Sequence, residues 1–177
     1  MNEKGKVLAL GLLFVVCLML AYVENRLFFQ SLGEIFAQPW TAVPVIFLHN
    51  VLAVSLIMLG MSFYVGFVLN FLPKRRCEHV VLEHPRPFAI IFTVMILVIS
   101  VLRANSLLGG ELLSKAVFLI LLSLPQGILE AYAIFLAIEK TLEKRMTRRN
   151  VATVYTLFFL AALLEVGFIQ FLRTILR

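Results

Sequence analysis

Between Val43 and Leu72 the chain runs for 30 residues without a formally charged side chain, and that run decides what it can fold into. As one helix it would be about 45 Å long, more than the roughly 30 Å hydrocarbon core of a bilayer, so it must tilt, bend or project. Four further apolar segments can be drawn: Val7 to Val23, Phe88 to about Leu108, Leu112 to Ile138 and Val151 to Leu172. Each is near or above the roughly 17 to 25 residues a spanning helix needs, although the third is clean only as far as Leu102. A chain with 62% apolar and 15% charged residues is too apolar for an ordinary soluble domain. The expected fold is all-α, a single integral membrane domain over residues 1–177 with about five transmembrane helices, the fourth of them kinked. The longest connections, Glu24 to Ala42 and Pro73 to Pro87, leave no room for a separate domain.

Charge placement orients the segments. If the helices alternate from a cytoplasmic N-terminus, the inner segments hold Lys4, Lys6, Lys74, Arg75, Arg76, Arg86, Lys140, Lys144, Arg145, Arg148 and Arg149, against Arg26, Arg103, Lys115, Arg173 and Arg177 outside. This division obeys the positive-inside rule and places the protein in the cell membrane with its C-terminus outside; four or six spans would spoil the alternation. The net charge of +6 is then explained by anionic lipid headgroups and calls for no nucleic acid. Lys4 and Lys6 before an apolar stretch also fit a secretory signal. The stretch is longer than a signal core and no A-x-A site follows, so a retained helix is expected. Cys17 and Cys77 fall in different layers, and no disulfide is expected.

Several side chains in this frame have two readings. From Glu24 to Trp40, Phe28, Leu32, Ile35 and Phe36 recur at helical spacing, which fits an amphipathic helix on the outer surface or an extension of the first span ended by Pro39. In the second span His49, Ala53 and Gly60 fall within a narrow arc and suggest a close helix contact, with Gly60 and Gly66 as places to bend or pack. His49 reads as a hydrogen-bonded packing residue or as a ligand or proton carrier. Cys77, Glu78, His79, Glu83 and His84 are all capable metal ligands. Their spacing matches no standard zinc pattern, so neither a metal nor another cofactor is expected. Arg103 and Glu165, at similar depth in the third and fifth spans, form a possible ion pair, the alternative being that Arg103 snorkels alone.

The fourth span carries the clearest pointer to function. Glu130 lies in an otherwise uncharged run, five residues after Pro125 and four after Gln126. An ionised side chain at the centre of a membrane helix costs roughly 2.5 to 3.5 kcal/mol on insertion scales, so this carboxylate must be neutralised, paired or hydrated. Pro125 frees the carbonyl of Leu121, which together with Asn50 offers Glu130 a partner. Ser123, Gln126, Glu130, Ala133 and Ala137 follow three-and-four spacing, a stripe that should face protein or water.

Residues Leu124 to Ala133, with Pro125, Gln126, Gly127 and Glu130, together with Phe47-Leu48-His49-Asn50-Val51, resemble the stage II sporulation protein M family. There a helix with an Asn-Asn-like pair precedes a Pro-His-Gly-x-x-Glu helix, and five spans make up most of the chain. Asn50, Pro125, Gly127 and Glu130 match; His49 replaces the first Asn and Gln126 replaces the motif's His. The likeness is close over Val43 to Ile138. It implies membrane complexes and partnership with wall-remodelling proteins, with no established catalytic chemistry.

Two functions follow from these residues. In one, Glu130, Gln126, Asn50 and His49 line a hydrated, cation-favouring route, since irregular backbone at membrane depth survives where it lines a cavity. In the other they lock helices together in a non-catalytic scaffold that recruits membrane or envelope partners. An enzyme is not expected: there is no H-E-x-x-H, no G-x-S-x-G and no Asp, and Glu130 and Glu165 are assigned to opposite membrane faces, too far apart for an acid and base. Small-residue stripes on helices with little chain outside the bilayer suggest a homodimer.

Overall fold

The structure, a computed structural model, describes residues 2–73, 78–107 and 116–175, without the side chains of Leu32, Glu78, residues 103–107, residues 116–123, Leu172, Arg173 and Ile175. It is all-helical there: α1 (Glu3–Ala37), α2 (Pro39–Phe71), α3 (Glu78–Glu83), α4 (Pro85–Leu107), α5 (Ala116–Leu142) and α6 (Arg148–Ile175). Among the described residues four segments are long and apolar enough to cross a membrane, Glu3–Ser31, Pro39–Phe71, Pro85–Leu102 and Arg148–Phe171.

The first helix differs from the apolar run that announced it. Instead of stopping near Val23 it continues to Ala37, 35 residues and about 52 Å, so the segment after Glu24 is the extension and not a separate surface helix. Its start is fixed by Asn2, whose side chain accepts a hydrogen bond from the Gly5 amide at 2.8 Å. It ends where Pro39 disfavours a helical residue before it: Gln38 is extended at φ −121°, ψ 100°, and Pro39 opens α2. The α5–α6 corner is built differently. Lys144 takes φ 55°, its amide donating to the Thr141 carbonyl and that of Arg145 to the Lys140 carbonyl, after which Thr147 caps α6 by accepting from the Asn150 amide.

α2 is the central helix, packed on α1, α5 and α6, while α4 packs on α5 and α5 on α6. The tightest packing follows from small residues. Ala133 and Ala137 of α5 and Ala161 and Ala162 of α6 are fully buried, as are Val54 and Val68 of α2. α1 meets α2 through aromatic rings set over glycine: a Cβ on Gly60 would stand 2.8 Å from the Phe14 ring and one on Gly11 2.6 Å from that of Phe63. Outward faces of α1 and α4 keep large apolar side chains exposed, among them Leu12, Met19, Ile91 and Val98.

The bundle has two chemically distinct ends. Lys4 lies over the Phe71 ring, placing the start of α1 beside the end of α2, and Arg86 stands 3.9 Å from Glu139, placing the start of α4 beside the end of α5. Lys140, Lys144, Arg145, Arg148 and Arg149 belong to this same end. At the other, Gln170 of α6 donates to the Phe36 carbonyl at 3.0 Å, just before the Gln38 corner.

Candidate functional site

The helix register brings polar side chains from four elements to one level. Asn25 lies 13 residues before the Gln38 corner and Asn50 12 residues after it, so the antiparallel α1–α2 pair sets both about 18 to 20 Å from that corner. Glu130 precedes the end of α5 by 12 residues, about 18 Å from the opposite end of the bundle, which puts it well inside. Asn50 donates from Nδ2 to Oε1 of Glu130 at 3.2 Å, tying α2 to α5. The two residues border a cavity of about 240 Å³, whose other polar walls are Asn25 of α1, His49 of α2 and Ser100 of α4, and whose apolar walls include Val54, Ile96 and Phe158. The Asn25 Oδ1 is buried and finds no hydrogen-bond partner among the described residues.

His49 is held from the α1 side. Its Nδ1 lies 3.0 and 3.2 Å from the two carboxylate oxygens of Glu24, and its ring stacks flat on Phe28, centroids 3.9 Å apart and planes 4° from parallel. His49 is thus tied to α1 and Asn50 to α5, and both border the same cavity. Glu24, Asn25 and Ser100 are the members of this constellation that the sequence did not single out. With Glu24 taken as the edge of a span, nothing marked it as an inward-facing group. The available signal was Glu24 and Asn25 continuing the helical register of the first span.

Other sequence-marked residues stand apart from the cavity wall. Gln126 is half-buried one turn before Glu130, and Pro125 is exposed within α5. A Cβ on Gly127 would meet none of the described atoms within 4 Å, whereas Gly60 packs under Phe14. Arg103 belongs to α4, but its side chain lies outside the described ones, and so does the proposed pairing with Glu165. The assignment of Glu130 and Glu165 to opposite faces is corrected. Glu165 is 17 residues into α6, about 25 Å from the corner end against about 18 Å for Glu130, so the two lie less than two helical turns apart in depth. The error came from measuring depth against apolar run ends and not against the hairpin that pairs the helices. Residues 74–77, which include Cys77, lie outside the described ones; among those described, no three His, Cys, Asp or Glu side chains converge on a metal position.

Fold and site define an α-helical protein with helices of membrane-spanning length and, among them, a partly open cavity whose mostly apolar wall carries polar groups from four helices. Comparison with protein families, with curated proteins and with solved structures returned no match.

Proposed function

We propose that this chain is a five-span cell-membrane protein, N-terminus cytoplasmic and C-terminus outside, whose helices assemble around a route for cations. The observation that carries this reading is the cavity beside Glu130, polar on four helices and set at mid-bundle depth. A bilayer-embedded chain gains nothing from an open polar space, because burying polar groups costs free energy unless water or a ligand satisfies them. The unpartnered Asn25 Oδ1 adds a neutral oxygen to the negative charge of Glu130, a donor set that favours cations. In this reading α5 spans despite its charges, and Pro125 bends it. The exposed apolar faces of α1 and α4 meet lipid or a second copy in a homodimer, and the function is non-catalytic.

A second reading has one specific support, the Asn50–Glu130 hydrogen bond, which ties two helices as a scaffold would need. The resemblance to the stage II sporulation protein M family agrees with that scaffold, and with partner proteins of the membrane or envelope. Flux separates the two. Purified chain in liposomes should pass cations above empty vesicles, and Glu130→Gln, which keeps the hydrogen-bonding shape and removes the charge, should lower or abolish that flux while leaving helicity and assembly intact. Wild-type vesicles that match empty ones across monovalent and divalent cations would eliminate the route and leave the scaffold.

A further inference from the structure

We propose that the cation handled at this cavity is the proton, exchanged between the carboxyl of Glu130 and Nε2 of His49, with Glu24 as the positioning residue. The inference rests on the reading of the cavity as a cation route and names its substrate. Among the described residues, Glu130 and His49 are the titratable groups that border the space, the remaining polar walls being two amides and a hydroxyl. Glu24 occupies Nδ1 of His49 at 3.0 Å, and Phe28 holds the ring flat. A neutral imidazole so held carries its hydrogen on Nδ1 and its lone pair on Nε2, leaving one proton acceptor free.

Metal cations fit the same walls poorly. Calcium takes six to eight oxygen ligands, typically with several carboxylates, and among the described residues the cavity offers the one carboxylate of Glu130. A proton needs no coordination shell. It needs a donor, an acceptor and water between them, and the space has room for several waters. In the transfer the O–H bond of protonated Glu130 breaks and its electron pair stays on oxygen. An N–H bond forms at Nε2, and the resulting imidazolium is balanced by the Glu24 carboxylate on its other nitrogen. The reverse transfer restores both groups. Among the described residues, the charged groups facing this pair are Glu24 from α1 and Glu165 from α6, while α4 contributes the neutral Ser100.

The test uses the full chain in liposomes carrying an internal pH-sensitive dye, with potassium and valinomycin to compensate charge and an imposed pH step. Wild type should acidify the lumen faster than empty vesicles. His49→Gln and Glu130→Gln should each slow this by on the order of a hundredfold, the lower end of what a positioned proton-transfer group contributes. Leu12→Ala on the exposed face of α1 should change nothing. Glu24→Gln keeps an acceptor for Nδ1 and removes the charge, so the pH profile of flux should move; this arm carries the test if His49→Gln melts early in detergent. Sodium or potassium flux without proton movement would overturn the proton and leave the cation route standing, whereas no flux of any ion would overturn both. Proton flux unchanged in His49→Gln, or an unmoved profile in Glu24→Gln, would overturn the roles given to those residues.

Discussion

At the scale of single residues, the site is a matter of which polar groups find partners across helices. Asn50 and Glu130 were both conspicuous in the sequence because each interrupts an apolar run, and they meet at 3.2 Å. Glu24 and Asn25 were not, because their partners lie across a hairpin: His49 is 25 positions away from Glu24, and no local pattern announces such a pairing. A polar residue near a run's end looks like a boundary until the opposing helix is known. The Asn50 bond also allows a magnitude to be set. Interhelical hydrogen bonds in membranes average about 0.6 kcal/mol and reach about 1.7, because the separated helices find other partners. Asn50→Ala is therefore expected to lower stability by about 1 kcal/mol, measured by unfolding in mixed micelles with increasing denaturing detergent. A loss several times larger would mean that Glu130 is left with no substitute partner.

At the scale of elements, packing outweighs that bond. α5 and α6 share one buried cluster, Ala133, Ala137 and Ile138 of α5 with Val154 and Phe158 of α6, in which both alanines have no accessible surface. Adding three carbons at such a contact forces the helices apart or the neighbours off their rotamers. Ala137→Leu should cost about 1 to 3 kcal/mol in the same unfolding assay, more than removal of the Asn50 amide. A neutral effect would show that the α5–α6 contact is looser than its burial implies. The helices themselves were legible because apolar runs of spanning length have few alternatives; their ends were not. α1 outlasted its apolar run by 14 residues since exposed polar residues such as Arg26 and Gln30 are compatible with a helix whose other face packs on α2. The proline at 39 marked the real stop, and it was visible from the start.

At the scale of the whole molecule, the ends of the bundle carry the topology. The Lys4 contact with Phe71 and the approach of Arg86 to Glu139 put the starts of α1 and α4 at the same end as the ends of α2 and α5. The α5–α6 corner, with Lys144, Arg145, Arg148 and Arg149, lies there too. α5 is the helix in question, because the side chains of residues 116–123 at its start lie outside the described ones, while Glu130, Glu139 and Lys140 fall in the rest. Yet it is 27 residues long, about 40 Å, and it returns along α4 to the basic end. If it did not cross, α4 and α6 would have to be joined on one face of the bilayer, and the cationic corner would be carried away from the other basic termini. The five crossings proposed would keep every one of them on a single side, which the positive-inside rule would assign to the cytoplasm. A reporter fused after Arg177 should therefore be active only outside the cytoplasm, and one fused before Met1 only within it. Cytoplasmic activity at both ends would mean an even number of crossings, and the polar cavity would lose the depth on which its proposed function depends.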